Sequence, residues 1–403
     1  MTGLASRPPS TALPLDGLVV VAVEQAVAAP FASRQLADLG ARVIKIERPG
    51  TGDFARSYDA TVKGLASHFV WINRSKESLT LDLKRPEAAD VLRALLARAD
   101  VFLHNLAPGA MARLGFDAAS MRTTHPRLVV CEISGYGSSG PYRDKKAYDL
   151  LVQSEAGLVS ITGTPETPSK VGISIADIAA GMYAFSSILA ALLRRTTTGV
   201  GAALDISMFD AVAEWMGYPA YFAMYTGVPP QRSGAAHPAI APYGPYPAGD
   251  GKVVFIGLQN EREWARFCTD VLERPDLLTD ARFGSNSGRV DHRAALDALI
   301  IDAFGRRPAA EIIARLDAAQ IANARMNSVG EFLEHPQLSA RDRWREIESP
   351  AGPLRALVPP FGFDDLEPRM GSIPAVGEHT DAILTELGHG AGTVADWRRQ
   401  GIV

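Results

Sequence analysis

LDGLVVVAVEQAVAAPFASRQLADLGARVIKIERPG, residues 15–50, decides the fold. Its head, LDGLVVVAVEQ, carries a short β-branched apolar run, the pattern of a buried strand. Pro30 suits the first turn of the helix that follows, PFASRQLADLG, and Gly40 ends it. ARVIKIERPG is a second strand closed by Pro-Gly. Outward from there the alternation repeats: SLTLDL as strand, RPEAADVLRALLARA as helix, DVFLHNLAPG as strand and turn, PRLVVCEISGYG as strand. Strands alternating with helices of this length imply parallel βαβ units, so an α/β fold with a Rossmann-like large domain is expected. The glycine fingerprint of a dinucleotide site is missing, because EQAVAAP stands where GxGxxG would follow the first strand. No GxxxxGK[ST] follows any strand either, which argues against a P-loop.

Past Gly199 the texture changes. A short strand and an aromatic-rich helix lead into PPQRSGAAHPAIAPYGPYPAGDG, a Pro/Gly-dense loop that marks a boundary. The expected organisation is a disordered tail over 1–14 and a large Rossmann-like domain over 15–228. A smaller α+β domain follows over 229–332, and residues 333–403 return to the large one. The chain has 403 residues, enough for a large core, and its 21% of charged residues sum to a net charge of −4. That balance argues against nucleic acid or an anionic membrane as partner. Cys131 and Cys268 lie in apolar runs and read as inert core thiols of a reducing compartment. The first residues hold no apolar signal-peptide core. The apolar stretch Ile178–Leu193, with Gly181, Ser186 and Ser187, reads as short for a bilayer, so a cytoplasmic protein is expected.

Within SKVGISIADIAAGMYAFSSILAALLRR, residues 169–195, Asp177 joins an apolar, strand-like run (Val171 to Ala176) to a long apolar helix. A carboxylate there is either a helix N-cap or a nucleophile held at a helix start, and the stretch alone leaves both open. No HExxH or CxxC spacing points to a metal, and GYGSSGP misses the spacing of a nucleophile elbow. His237 and His379 sit in loops. Arg48, Lys76, Arg113, Lys145 and Lys146 are candidate phosphate partners, all but Arg113 near strand ends, where α/β sheets bind ligands.

Five stretches carry a family resemblance: LADLGARVIKIERPGTGD, NRSKESLTLDL, NLAPGAMARLGF, GYGSSGPYRDKKAYDLLVQSEAG and ISIADIAAGMYA, with VGEHTDAILTELG near the C-terminus. They run in order from about Leu15 over nearly the whole chain. The sequence resembles the class III coenzyme A transferases, the CaiB/BaiF, formyl-CoA transferase-like group, which also includes α-methylacyl-CoA racemases. The resemblance implies a nucleophile at Asp177 and CoA as co-substrate, with no permanently bound cofactor and no metal. It implies CoA contacts at Val27, Ala28, Arg48, Lys76, Asn105, Arg113 and Lys146. Gln25 and Tyr148 would line the active site, with Gly234 and His237 in the loop that covers it. It further implies an interlocked homodimer. The racemases carry a histidine where AYD places Tyr148, which argues against racemisation. A run of glycines in formyl-CoA transferases is reduced here to Gly234 in RSGAAHPAIAPYG, which puts formyl-CoA and oxalate in doubt. The branch that looks most similar acts on short dicarboxylates, with transfer from succinyl-CoA to itaconate expected, then mesaconate or citramalate. Arg34, Arg143 and Arg232 are candidates for the second carboxylate. The alternatives are an isomerase of the racemase kind or a non-catalytic acyl-CoA-binding protein. At an ordinary aspartate pKa near 4, Asp177 would be ionised at neutral pH.

Overall fold

The alternation closes into one sheet. In the computed structural model, which describes residues 12–403, the strands are β1 (Val19–Val23), β2 (Arg42–Glu47), β3 (Lys76–Thr80), β4 (Val101–His104), β5 (Val129–Ser134) and β6 (Ala203–Ser207). They stand in the order β3-β2-β1-β4-β5-β6, every neighbouring pair parallel. This is the doubly wound order, with its switch between β1 and β4, where the connections leave in opposite directions and open a crevice at the carboxyl ends. Most of the expected tail, residues 1–11, lies outside the described residues. Leu13 is already tied down, its amide donating to Asp16.

Among the helices of the unit that holds this sheet are α1 (Ala28–Asp38), α2 (Pro86–Leu96), α3 (Asp149–Glu155), α4 (Ile175–Thr198) and α5 (Met208–Trp215). β1 is buried along nearly its whole length, as its β-branched sequence demands. Gly40 ends α1 at a φ of 109°, and a Cβ there would meet Asp16 and Leu13 at 2.7 Å. Helix α4 has 24 residues, longer than the apolar stretch read from sequence. By length and hydropathy it is the one described helix that could cross a membrane; here it packs on α1, α5, β5 and β6.

The chain forms two compact units. Among the described residues the first comprises 12–157, 171–217 and 339–403; the second, 158–170 and 218–338. The second unit thus takes 218–228 and 333–338, assigned from sequence to the large domain and to the C-terminal return, and with them 158–170, a further piece assigned to the large domain. Arg232 explains it by donating to the carbonyls of Ser160, Thr164 and Pro165. This unit has an antiparallel sheet of β7 (Tyr243–Pro247), β8 (Val253–Gly257) and β9 (Ala322–Arg325). Its own core holds Trp264, Phe267, Phe283 and Phe304. Cys131 and Cys268 are buried and free, and burial pushes both thiols up.

Candidate active site

Val171–Ala176 is not a strand. Residues 171–174 are a loop and Ile175–Ala176 open α4, and two of their amides are held by side chains of α3: Val171 donates to Gln153 Oε1 and Ala176 to Asp149 Oδ1, at 3.1 and 2.8 Å. Nor is Asp177 the cap of α4, since the helix begins at Ile175 and places Asp177 third in its first turn. The capping is done from outside, by Asp149, which also accepts from the Asp177 amide at 3.4 Å. Gln153 donates to the other Asp149 oxygen at 2.7 Å and so orients it. Burial, and after it the neighbouring Asp149 carboxylate, push the Asp177 pKa up to about 7. The expectation of an ordinary, fully ionised aspartate is therefore corrected. The phenol of Tyr58, raised to about 12 by burial, also feels the charges of Asp53 and Asp177 and the phenol of Tyr148. These groups share one neighbourhood, over which Tyr148 stands 69% exposed.

The loop after β1 is fixed at successive peptide groups. Asn105, just beyond β4, accepts from the Gln25 amide at 2.9 Å and donates to the Gln25 carbonyl at 2.8 Å, a clasp across the switch point. Ala26 sits at φ 60°, the left-handed region that side chains other than glycine disfavour. Its amide donates to Asp53 Oδ1 at 3.1 Å. Val27 and Ala28 are buried at the start of α1. Gly181 brings α4 close to them, for a Cβ there would lie 2.7 Å from the Ala28 carbonyl oxygen.

Lys76 is not on the rim. It is the first residue of β3, at the end away from the carboxyl edge, and its ammonium is buried. There it donates to Glu24 Oε1 at 2.7 Å and to Pro30 O and Asn73 Oδ1 at 3.0 Å. A lysine so committed holds the loop from below and has no reach to a phosphate in this structure. Asn105, likewise, spends its amide on Gln25. Arg48, Arg113 and Lys146 are exposed, Arg48 just past β2 and Arg113 ending the turn Ala110–Arg113 after β4. Three exposed cations and a clasped loop thus stand around the carboxyl edge of the sheet, with a half-buried carboxyl group at the start of α4.

A family model described as CoA-transferase family III matches residues 15–380. The chain belongs to that family. It is therefore a class III CoA-transferase, an enzyme that uses CoA thioesters as co-substrates. The succinate–glutarate CoA-transferase of Agrobacterium fabrum is 32% identical over 96% of this chain and 98% of its own length. The acetyl-CoA:oxalate CoA-transferase of Acetobacter aceti is 35% identical over 93% and 96%. The succinyl-CoA–D-citramalate CoA-transferase of Chloroflexus aurantiacus is 31% identical over 95% of each. A CaiB/BaiF family protein from Brucella suis has the same fold, with a TM-score of 0.82 at 34% identity, covering 93% of this chain and all of that one.

Gly234 and His237 belong to the second unit. The His237 ring stacks on Tyr243 at 5.2 Å, and its Nδ1 accepts from the Ala239 amide at 3.2 Å, so half of its polar capacity serves its own loop. Of the three arginines, Arg34 is buried against Asp38 and Arg232 is spent on carbonyls. Arg143 is exposed beside Asp144 and lines a cavity of about 270 Å³ with His104, Met111, Phe116 and Glu132. Asp149, Gln153, Asp53 and Tyr58 were passed over in the sequence as site residues. Asp149 stands in the quoted AYD and Asp53 in the quoted GTGD, so the motifs held the only signal available.

Proposed function

We propose that this enzyme moves CoA from succinyl-CoA to a short dicarboxylic acid, itaconate first among the candidates, with Asp177 as nucleophile. The observation that carries it is the Asp177 carboxyl: half-buried, beside Asp149, in the first turn of α4 of a family III chain. Relatives named for glutarate and citramalate favour a dicarboxylate acceptor, and itaconate rests on the sequence resemblance.

The ionised Asp177 oxygen attacks the thioester carbon; the C–S bond breaks, giving a mixed anhydride and CoA thiolate. The thiolate then attacks the Asp177 carbonyl carbon, releasing the donor acid and leaving an aspartyl-CoA thioester. The acceptor carboxylate attacks that thioester, and the steps reverse to give the new acyl-CoA and free Asp177. Each intermediate is prone to hydrolysis, so water must be kept out of the site. Burial that excludes water also raises the Asp177 pKa, so the two properties come together. On this reading residues 15–228 bind CoA, with Arg48, Arg113 and Lys146 meeting its phosphates. Gln25 and Tyr148 line the acyl site. The enzyme works in the cytoplasm as a homodimer, away from membranes and nucleic acid.

The test is incubation of the pure protein with succinyl-CoA and each of itaconate, mesaconate, citramalate, glutarate and oxalate, products being read by mass spectrometry. Oxalate belongs on the panel because a 35% identical relative is named for it. The expected result is itaconyl-CoA, absent with Asp177→Ala. Transfer that survives Asp177→Ala removes the nucleophile assignment, and transfer only to another acid removes itaconate.

A further inference from the structure

The GTGD segment contributes a residue with no assigned role. Asp53 is 1% exposed and its carboxylate is fully used. One oxygen accepts from the Ala26 amide at 3.1 Å and from the Ala55 amide at 2.9 Å; the other takes Lys45 Nζ at 2.8 Å. Lys45, fully buried, also donates to the carbonyl of Glu24 at 3.4 Å, one residue before Gln25. Burial alone would push the Glu24 carboxyl up, but the ammonium groups of Lys76 and Lys45 outweigh it and hold it below the usual carboxylate range. The backbone of residues 24–26 is thus held by Lys45, Asn105 and Asp53 in turn. Within that clamp Ala26 keeps a conformation that an alanine leaves when unrestrained.

We propose that Asp53 is a positioning residue for CoA transfer: fixed by Lys45, its carboxylate holds Ala26 left-handed and so sets the shape of the 24–27 loop beside the reacting carboxyl. The inference rests on the transfer reading above. It assigns Asp53 no contact with substrate. A buried Lys–Asp pair of purely structural value would add stability and leave the rate per folded molecule alone. A clamp on a strained loop ties the rate to the conformation of residue 26.

The test compares wild type, Asp53→Asn, Ala26→Gly and the double variant in transfer from succinyl-CoA. Asparagine keeps an acceptor for the two amides but turns an N–H toward the Lys45 ammonium, which loosens the clamp. The expected result is a fall in kcat of about 10- to 100-fold with KM for succinyl-CoA held within about threefold. Ala26→Gly in the same chain is expected to restore at least about fivefold, because glycine adopts positive φ unaided. A kcat for Asp53→Asn within about threefold of wild type, or a loss that glycine does not relieve, overturns the proposal. If Asp53→Asn does not fold, Ala26→Val carries the test with the charges intact: branching at Cβ opposes the left-handed region, and an unchanged kcat overturns the clamp. Amide exchange over residues 24–31 reads the clamp without turnover. A wild type that transfers no CoA removes the transfer reading, whereas unchanged exchange in Asp53→Asn or Ala26→Val removes the clamp.

Discussion

Asp177 is a carboxyl group whose charge its surroundings resist, through burial first and Asp149 second. Only the ionised form is a nucleophile, so the proposed chemistry gains with pH until the proton is off. A pKa near 7 sets the compromise: about half the molecules carry the anion at neutral pH, and that anion is more basic and more nucleophilic than an ordinary carboxylate. The rate kcat/KM for the donor thioester is expected to rise with pH to a half-maximum near 7, then level. Asp149→Asn removes the like charge while keeping an acceptor for the Ala176 amide, although it loses the Gln153 contact. The anion is then less disfavoured, so the half-maximum moves to lower pH. It moves by less than the full displacement, because burial is the larger cause. A pH–rate curve in which Asp149→Asn overlies wild type, or moves to higher pH, rules this account out.

At the scale of elements, the start of α4 is built from parts distant in sequence. Asp149 and Gln153 lie on α3 and hold the loop and first turn of α4, a relation that periodicity cannot report. The run Val171–Ala176 has strand-like composition because it is apolar, but its amides find α3 side chains before they find a neighbouring strand. Local propensity loses there to two polar side chains. The β1–α1–β2 unit was legible because strand, helix and stop signals agree over one continuous stretch. Gly181 tests the packing that unites these elements, since it lies one turn beyond Asp177 and against Ala28. By helix propensity alone, Gly181→Ala stabilises by about 1 kcal/mol. The new Cβ, however, would sit 2.7 Å from the Ala28 carbonyl and 3.0 Å from the Phe31 ring. Overpacking of that kind costs about 1–3 kcal/mol and must move α4, carrying Asp177 away from the loop after β1. Urea unfolding is expected to show net destabilisation, and transfer assays at least about a tenfold fall in kcat. A variant as stable and as active as wild type means that α4 and α1 are not held as closely as described.

At the scale of the molecule, the parallel βαβ build of the sheet was readable in the alternation, whereas its strand order and the ion pairs that decide which charges are available were not. Lys45 and Lys76 look alike in sequence to the exposed Arg48, yet they meet Glu24 in the interior because β1, β2 and β3 are adjacent there. The expected return of the C-terminal part has a physical basis in its last residues. Ile402 is fully buried with Val403 in the core of the first unit, among residues that include Leu81, Leu92 and Ile383, and the Asp82 amide donates to the Ile402 carbonyl. The helix Ala391–Arg399 before it presents mostly exposed residues, with Arg398 paired to Asp381 at the surface. The end of the chain is therefore expected to hold by its apolar residues and not by its charges. Ile402→Ala, which opens a cavity in a core that cannot close around it, is expected to cost about 2–5 kcal/mol in urea unfolding. Arg398→Ala, which removes an exposed pair, is expected to leave the unfolding midpoint unchanged within error. Equal losses from the two variants would mean that the return is held by the charge pair as much as by the core, against the burial of Ile402.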